Sequence, residues 1–446
     1  MIDSRSETLV ASTREIEPAL IALDALAQGH RTPAFVWDEP DSGFICAGFG
    51  RAWEHVSAPG QDRIAVAAEA AESLFARLDA LGDAAAPRPR LVGGFSFAPS
   101  DAVLAPPSAN RWDDFPAGSL VLPRFTYTLQ DGRAWLTAVA TAGRDAMPGL
   151  ERAIDAAIAG LQPFASRRTL RSIDGPGPPD PNGEEAFRGL VKQAVAEVES
   201  GKLAKVVAAR SAHVGGASDP WRILGALRRR YPSCVIYGVF RNDSVFVGAS
   251  PELLVELHDG RVSSSALAGT VTRGVDVFAD ARLEDRLRHD PKELAEHQYV
   301  VQGLRNALHG VGVVIDPPQQ LDIVKLANVQ HLASPVTGTA PRGTGILDLV
   351  DAVHPTPAVA GLPRSAALDW LAEHEGLDRG WYAGPIGFVD SSLDGTFRVA
   401  LRCALLRGDR ARVFAGAGIV AGSRPERELA ETTAKLRAML DALRVR

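Results

Sequence analysis

A short β-branched run near the middle of the chain contains a lysine, and this combination restricts both the fold and the chemistry around it. The run LAKVVAARS begins at Leu203, and Val206 and Val207 favour a strand. The ammonium group of Lys205 needs either a partner or a route to water, with its stem lying on apolar surface. A lysine at the edge of a sheet is the simplest interpretation.

Composition favours a more specific role for this lysine. The chain has 48 Lys and Arg residues, of which only six are lysines. Arginine stays protonated, whereas lysine can release its proton. Lysine in such a chain therefore marks positions that need a cation able to lose its charge. Lys205 is a candidate base, and Glu252 in the later segment GASPELLVEL is a candidate acid.

The bulk properties are those of an ordinary globular protein of 446 residues, with 46% hydrophobic and 23% charged residues. A net charge of −6 argues against nucleic acid as an obligatory partner. The three cysteines lack CxxC spacing, so neither a disulfide framework nor a cysteine-based zinc site is expected. The N-terminus has no signal-peptide pattern, and no apolar run is long enough for a membrane span. We therefore predict a cytoplasmic protein without a membrane partner.

A stretch rich in glycine and proline divides the chain into two parts. SIDGPGPPDPNG, over 172–183, is poor in apolar side chains, which is typical of a linker. The part before it, 1–171, is predicted to contribute strands and covering helices but carries no motif that indicates chemistry. The motifs become dense after the linker, so we place the catalytic half at 184–446.

Local patterns predict several elements. Residues 33–50 are predicted to form a hairpin, and a second hairpin is expected to turn at Asp131 and Gly132. Residues 64–82 are alanine-rich and amphipathic, which predicts a helix ending at Gly82. A helix with one apolar face is predicted over 184–201, immediately before the lysine-containing strand.

Two later helices are each predicted to carry two carboxylates on one face. In HDPKELAEHQYVV, Asp290 is the predicted N-cap and Pro291 the first helical residue. Glu293 and Glu296 are three residues apart and therefore neighbours on the helix surface. Glu293 also stands where a capping-box glutamate would be, so capping explains it equally well. For Glu296 the alternative is an exposed acidic face.

The C-terminal segment GAGIVAGSRPERELAETTAKL repeats this arrangement. Ser423 is the predicted N-cap and Glu426 fits its capping box, which leaves Glu428 and Glu431 as a second pair. Lys435 follows Glu431 by four residues, as in an ordinary pair on a helix surface. Carboxylates that face each other repel, and Mg²⁺ prefers oxygen ligands. The two carboxylate pairs therefore either point to separate surfaces or hold a divalent cation.

The ordered motifs of residues 184–446 resemble those of the chorismate-utilising enzymes. They are LAKVVAAR, GASPELL, ALAGTVTRG, KELAEHQYVV, VQHLASPVTGT, HPTPAVAGLP, WYAGPIGF, VALRCA and GAGIVAGSRPERELAET. This family comprises anthranilate synthase component I, aminodeoxychorismate synthase, salicylate synthase and isochorismate synthase. The resemblance implies an α/β (α+β) fold, a single large domain of two stacked antiparallel β-sheets surrounded by helices. It also implies that chorismate and Mg²⁺ bind between the sheets.

Three positions distinguish the branches of this family. Lys205 resembles the water-activating lysine of isochorismate and salicylate synthases. Ala268 stands where aminodeoxychorismate synthases have a nucleophilic lysine, and Ala358 resembles isochorismate rather than salicylate synthases. The resemblance thus implies an isochorismate synthase, an isomerase of menaquinone or siderophore biosynthesis, with salicylate synthase as the alternative. It also implies a monomer without a glutaminase subunit.

The same resemblance implies how the reaction proceeds. Water attacks C2 of chorismate, the double bonds shift, and the C4 hydroxyl leaves. Lys205 is expected to be the base and Glu252 the acid that protonates the leaving hydroxyl. Lys205 must then be neutral, which burial or a nearby positive charge favours, and Glu252 must be protonated.

The remaining site residues are also assigned by resemblance. Mg²⁺ would bridge Glu296 and Glu431 to the ring carboxylate, and Glu293 and Glu428 would hold its waters. Arg402 is expected to bind the enolpyruvyl carboxylate with two parallel hydrogen bonds. The residues expected to bind chorismate are Gly269, Thr270, His331, Tyr382, Arg402, Gly416 and Lys435. A buried structural histidine is the alternative for His331, and a tight turn is the alternative for Thr270 and Gly416.

Overall fold

Two large β-sheets form the centre of the protein. The computed structural model describes residues 8–18, 34–58, 61–81, 85–98, 112–142, 146–160, 181–216 and 219–443. Most of the linker predicted over 172–183 lies outside these residues, because only 181–183 are described and they belong to the first turn of a helix.

The described strands are short to medium in length. In chain order they are β1 Leu9–Ile16, β2 Ala34–Glu39, β3 Phe44–Phe49, β4 Trp53–Ser57, β5 Leu78–Leu81, β6 Arg90–Phe95, β7 Gly118–Leu122, β8 Phe125–Gln130, β9 Arg133–Thr141, β10 Lys205–Gly215, β11 Val235–Arg241, β12 Ser244–Ser250, β13 Leu253–His258, β14 Arg261–Thr272, β15 Val314–Ile315, β16 Asp322–Lys325, β17 Val329–Thr339, β18 Gly361–Leu362, β19 Pro385–Asp390, β20 Gly395–Val399, β21 Cys403–Arg407 and β22 Arg410–Ile419.

The described helices surround these strands. They are α1 Ala65–Phe75, α2 Ala146–Gly160, α3 Pro181–Glu199, α4 Pro220–Arg230, α5 Val277–His289, α6 Pro291–Gly310, α7 Ile346–Val353, α8 Arg364–His374 and α9 Pro425–Leu443. Among the described residues, no helix combines the length and the apolar character that crossing a bilayer requires.

Both sheets contain strands from early and late parts of the chain. The first sheet has twelve strands in the order β18-β10-β22-β21-β12-β11-β2-β3-β8-β9-β1-β5. The second has ten strands, with the order β15-β17-β14-β13-β20-β19-β6-β7-β4 and β16 beside β17. The pairing is antiparallel except between β1 and β5. Because β2 pairs with β11 and β6 pairs with β19, residues before and after the predicted linker share both sheets.

The two sheets are stacked around a continuous apolar core. Trp37 of the first sheet contacts Phe388 of the second edge to face, with ring centroids 5.6 Å apart. Phe246 is fully buried in the same core and contacts the rings of Trp112 and Trp381. Burial of aromatic side chains contributes strongly to stability, because their large apolar surface leaves water. The expected fold of two stacked antiparallel sheets surrounded by helices is confirmed.

Both predicted hairpins are present, but one predicted helix is too long. β2 pairs with β3, and β8 pairs with β9 across a turn in which Asp131 and Gly132 have φ of 52° and 74°. The helix expected over 64–82 ends at Phe75 instead. Leu78–Leu81 then form β5, which pairs with β1. Local helix propensity at these residues is weaker than the gain from pairing with the edge of the sheet.

The helix before the lysine-containing strand forms as expected. α3 begins at Pro181, and its apolar face is buried at Phe187, Val191 and Ala194. The helix packs against β10 and α9. This contact fixes β10 inside the protein, so the strand that contains Lys205 is covered by a helix.

Removal of one core ring tests the packing between the sheets. We expect Phe246→Ala to lower the free energy of unfolding by about 3–5 kcal/mol, because it leaves a cavity among buried rings. Phe278→Ala is the matched control, since Phe278 is 78% exposed and its loss should change stability by less than about 0.5 kcal/mol. Denaturant titration of both variants measures the difference. Equal stability of the two variants would contradict the described core.

Candidate active site

Most of the residues singled out in the sequence line one pocket. These lining residues are Glu252, Gly269, Thr270, Glu296, His331, Tyr382, Arg402, Gly416, Glu431 and Lys435. Lys205, Glu293 and Glu428 do not line the pocket, but Lys205 pairs with Glu296 and Glu293 bonds to Thr270. Glu428 lies within electrostatic reach of Glu431. The structure therefore gathers the predicted residues in one region.

The pocket lies where both sheets and two helices meet. Thr270 belongs to β14 and His331 to the neighbouring β17 of the second sheet, whereas Gly416 belongs to β22 of the first. Glu296 extends from α6 and Lys435 from α9. These side chains come from distant parts of the chain, so they are close to each other only in the folded protein.

Lys205 is fully buried and is not an edge lysine. Its Nζ lies 2.9 Å from Oε1 of Glu296, and its side chain has no exposed surface. Burial opposes the charge on Glu296, but Lys205 outweighs this and lowers the pKa of Glu296. Within the described part of the chain, Nζ has no partner at hydrogen-bond angles despite this ion pair.

Gly418 allows the ion pair to lie directly on β22. A Cβ at this position would be 2.1 Å from Oε1 of Glu296 and 2.9 Å from Cε of Lys205. Both distances are shorter than carbon atoms tolerate, so a side chain at Gly418 would displace the pair. Glycine is therefore needed at this position of β22 for steric reasons.

Glu252 is a buried carboxyl group held mainly by its backbone. It follows β12, and its backbone N–H donates to Oγ of Ser250. Burial raises the pKa of Glu252 to about 7, although positive charge on Lys205, Arg402 and Lys435 opposes part of the rise. A carboxyl group with this pKa can hold a proton at neutral pH and release it during a reaction.

Arg402, His331 and Thr270 form a hydrogen-bonded chain along the pocket. Nη2 of Arg402 donates to Nε2 of His331 over 3.1 Å, and Nδ1 of His331 lies 3.0 Å from Oγ1 of Thr270. Because Nε2 accepts, the proton of the neutral ring is on Nδ1. Burial and the charge of Arg402 hold the pKa of His331 well below its usual value, so the ring stays neutral.

Arg402 supplies a positive charge to the pocket, and no carboxylate of the described residues forms an ion pair with it. The residue is buried, its backbone has φ of 47°, and its Nε has no hydrogen-bond partner among the described residues. A guanidinium group binds carboxylates through two parallel hydrogen bonds. His331 accepts a hydrogen bond from the Arg402 guanidinium and so helps to orient it in the pocket.

The four predicted carboxylates are close enough to repel each other. Burial, followed by Glu296, raises the pKa of Glu293 to about 7. Burial and Glu431 raise the pKa of Glu428. These carboxylates therefore do not point to separate surfaces. Buried, mutually repelling oxygen ligands suit a hard divalent cation such as Mg²⁺.

Each of these carboxylates has a basic partner. The pairs are Glu293 with Arg427 (3.1 Å), Glu296 with Lys205 (2.9 Å), Glu428 with Lys292 (2.9 Å) and Glu431 with Lys435 (2.5 Å). In the ranges that the structure describes, no three His, Cys, Asp or Glu side chains are arranged to hold a metal ion. The carboxylates are instead directed at their basic partners, which offset the cost of burying them.

Lys292 and Arg427 are site residues that sequence reasoning missed. Lys292 precedes Glu293 on α6 but pairs with Glu428 on α9. Arg427 precedes Glu428 on α9 but pairs with Glu293 on α6. A basic residue directly before a glutamate in each helix was the available signal. Its meaning depends on how the two helices pack.

The structure excludes the capping-box interpretation of Glu293. Asp290 is the N-cap of α6 as predicted, since its carboxylate accepts from the backbone N–H groups of Lys292 and Glu293. The Glu293 carboxylate accepts instead from the backbone N–H of Thr270 over 2.9 Å. This bond connects α6 to the pocket wall.

The prediction that Ser423 is an N-cap is wrong. α9 begins at Pro425, so Ser423 lies two residues before the helix. Its hydroxyl accepts from the backbone N–H of Val420 over 3.2 Å. Proline suits the first helical position because its missing N–H would have no helical partner there.

Backbone conformation differs between the two predicted glycines. Gly269 has φ of 77° and lies at a β-bulge between Ala268 and Thr270, so a tight backbone accounts for it. Gly416 lies in regular β22, and its carbonyl accepts from Nζ of Lys435 over 3.0 Å. The tight-turn alternative is therefore wrong for Gly416.

Tyr382 forms another side of the pocket beside Gly416. Its ring stacks on Phe414, with centroids 5.1 Å apart and planes 12° apart. A Cβ on Gly416 would lie 3.0 Å from the Tyr382 hydroxyl. Burial raises the pKa of Tyr382, so the phenol stays protonated and can donate a hydrogen bond.

Comparison with known proteins agrees with this arrangement. The family described as "Chorismate binding enzyme" matches residues 2–444, and the chain belongs to this family. The chain is 37% identical over 444 residues to the salicylate biosynthesis isochorismate synthase of Pseudomonas aeruginosa, covering 98% of this chain and 90% of that protein. The resemblance noted in the sequence is thereby confirmed.

Further relatives support the same family and fold. The isochorismate synthase MenF of Bacillus subtilis is 33% identical over 364 residues, which cover 80% of this chain and 74% of that protein. The structure of MenF, the menaquinone-specific isochorismate synthase of Escherichia coli, matches with a TM-score of 0.76 and 26% identity. That match covers 99% of this chain and 96% of the E. coli chain.

The steric role of Gly418 can be tested by a single methyl group. We expect Gly418→Ala to lower the free energy of unfolding by about 1–3 kcal/mol, because Glu296 and Lys205 must move apart. Gly215→Ala is the control, since a Cβ there meets no atom within 4 Å and the strand is regular. Denaturant titration compares the two. A Gly418→Ala protein as stable as the control would contradict the described contact.

Proposed function

We propose that this protein is an isochorismate synthase that converts chorismate to isochorismate. The observation that carries the proposal is the pocket that combines Glu252, an acid with its pKa raised to about 7, with the buried guanidinium of Arg402, whose Nε has no partner among the described residues. Lys205 lies directly behind Glu296 in the pocket wall. Relatives over most of the chain are named isochorismate synthases, which supports the same reaction.

Chorismate is a dianion, and the pocket offers separate positive groups for its two carboxylates. Arg402 is the partner of the enolpyruvyl carboxylate, with the Tyr382 hydroxyl as a second donor. Lys435, Gly269 and Thr270 are the proposed contacts of the ring carboxylate, which would compete with Glu431 for Lys435 and with Glu293 for the backbone N–H of Thr270. Two fixed anchors orient the ring, which places C2 and C4 relative to the base and the acid.

Acid–base catalysis by Glu252 and Lys205 accounts for the exchange of hydroxyl groups. Water attacks C2 as Lys205 accepts its proton, and the C4 hydroxyl leaves as water after Glu252 protonates it. Burial keeps Glu252 protonated up to neutral pH. Lys205 contacts Glu296 in this structure, so the proposal requires this ion pair to separate before Lys205 accepts the proton of water.

We propose that the carboxylates of α6 and α9 hold a divalent cation, Mg²⁺, which would replace part of their present contacts with basic side chains. Glu296 and Glu431 line the pocket and would bind the cation directly, whereas Glu293 and Glu428 lie outside the lining and would hold its waters. When bound, the cation supplies positive charge to the ring carboxylate of chorismate. Lys292 and Arg427 neutralise part of the same cluster.

The cellular setting is also proposed. Water as the nucleophile needs no ammonia, so we propose that the enzyme works without a glutaminase subunit. We also propose that it is a cytoplasmic monomer. Isochorismate is a precursor for menaquinone or siderophore biosynthesis, and the names of the relatives include salicylate biosynthesis and menaquinone-specific enzymes. Neighbouring enzymes decide between these fates.

Product analysis tests the proposed reaction. Purified protein is incubated with chorismate and Mg²⁺ without ammonia or glutamine, and the products are separated by chromatography with mass detection. We expect a product isobaric with chorismate. This product should not form when EDTA is present from the start. Salicylate with pyruvate would identify a salicylate synthase instead, and unchanged chorismate would contradict the proposal.

Substitution of the proposed base and acid tests their roles. We expect Lys205→Ala and Glu252→Gln each to reduce kcat by about 10²–10⁴-fold, because each removes one proton transfer. Lys202→Ala and Glu256→Gln are matched controls, since Lys202 is exposed and Glu256 does not line the pocket. Steady-state rates with circular dichroism as a folding check provide the measurement. Near-normal kcat in either site variant would remove that residue from the mechanism.

The raised pKa of Glu252 predicts how activity depends on pH. The acid form is required, and its fraction falls as pH rises through the pKa of about 7. We therefore expect kcat to approach a decrease of about tenfold per pH unit on the alkaline side. A kcat profile from acidic to alkaline buffers measures this limb. A kcat that stays constant well above pH 7 would contradict Glu252 as the acid.

A further inference from the structure

A buried ion pair lies behind the pocket wall without lining the pocket. Glu375 and Arg379 have side chains that are 3% and 4% exposed. Nε and Nη2 of Arg379 donate to the two carboxylate oxygens of Glu375, each over 2.7 Å. This parallel arrangement is the strongest and most directional form of such a pair. Neither residue is needed by the chemistry described above.

The ion pair completes the hydrogen bonding of β10 where its neighbouring strand ends. β10 pairs with β22 from Val206 to Gly215, but with β18 only at Lys205 and Val206. Beyond that point, Nη2 of Arg379 donates to the carbonyl of Val207 over 2.7 Å. Oε1 of Glu375 accepts from the backbone N–H of Ala209 over 2.7 Å.

The two side chains therefore take the place of a strand. A strand would offer β10 one donor and one acceptor along this edge, and the guanidinium and the carboxylate supply both. A pair of apolar side chains could fill the same volume and stabilise the fold equally well, since burying an ion pair costs desolvation energy. Apolar side chains could not form these two backbone bonds. The pair thus specifies geometry in addition to filling space.

Arg379 connects β10 to two other parts of the wall. Nη1 of Arg379 donates to the carbonyl of Val359 over 2.8 Å, and its backbone carbonyl accepts from the N–H of Tyr382 over 2.9 Å. Its Cζ also lies 4.2 Å from the centre of the Phe97 ring. Val207, Val359 and Tyr382 all line the pocket. Arg379 therefore joins three lining segments, two through its guanidinium and one through its backbone carbonyl.

We propose that Glu375 and Arg379 are a positioning pair that fixes Lys205 and Tyr382 relative to each other. The inference rests on the function proposed above, because it assigns these residues to the same reaction. Val207, which the pair holds, is two residues after Lys205 on β10. A displacement of about 1 Å between reacting groups costs up to about 10²-fold in rate. The pair acts through the backbone and touches no substrate.

The experiment compares Glu375→Gln with a matched buried pair elsewhere. Glu54 and Arg241 also form a largely buried pair, at 2.8 Å, but neither lines the pocket. Chorismate turnover is measured well below the melting temperature and expressed per folded molecule. We expect Glu375→Gln to reduce kcat by about 10- to 100-fold. Glu54→Gln should keep kcat and KM within about twofold of the wild type, even where its melting temperature falls.

Conservative replacement separates positioning from folding. Arg379→Lys keeps the charge and part of the hydrogen bonding, so its kcat should lie between those of the wild type and Glu375→Gln. If Glu375→Gln does not fold, the double variant Glu375→Gln/Arg379→Met leaves no unpaired buried charge and is judged by the same rates. Wild-type kcat and KM per folded molecule, together with a lowered melting temperature, would overturn the proposal and leave a purely structural pair.

Failure of the proposed function is distinguishable from failure of this inference. A wild-type protein that leaves chorismate unchanged would contradict the function and not the pair. Chorismate affinity, measured by calorimetry in the presence of Mg²⁺, then becomes the readout. We expect at least about tenfold weaker binding in Glu375→Gln, because Val207, Val359 and Tyr382 line the binding pocket. Unchanged affinity would overturn the positioning role.

Discussion

The burial of charge between two sheets is the constraint on which the rest of this structure depends. Desolvating a carboxylate or an ammonium group is costly, and the cost is offset only when each charge has a close partner. Glu296 and Lys205 meet this condition at 2.9 Å, with Gly418 providing the space beneath them. The large apolar core, including Phe246, supplies the stability that allows such a cluster to be kept.

Burial has opposite consequences for two glutamates of the same pocket. Glu252 has positive neighbours but no direct ion pair in the described structure, so burial dominates and raises its pKa to about 7. Glu296 is in contact with Lys205, which lowers its pKa in spite of its burial. One pocket therefore holds an acid that can donate a proton and a carboxylate that stays ionised. Two carboxyl groups of one pocket can have different roles when their surroundings shift their pKa values in opposite directions.

The sequence predicts much of this site because the family motifs are local. Asp290 caps α6 as expected, and the turn at Asp131 follows from local turn chemistry. The pairing of Lys292 with Glu428 could not be predicted, because it depends on how two distant helices pack. The strand at Leu78–Leu81 was predicted as helix, since local propensity does not include pairing with a distant strand. The same limit concealed the contact between Glu375 and β10.

The origin of the new hydroxyl group tests the central claim most directly, because the mechanism requires attack by water. Chorismate and Mg²⁺ are incubated with the enzyme in water labelled with oxygen-18, and the product is analysed by mass spectrometry early in the reaction. The account predicts isochorismate carrying one oxygen-18 atom at C2, with the C4 oxygen lost to solvent. Unlabelled isochorismate would contradict it, because the hydroxyl group would then have moved within the substrate without water activated by Lys205.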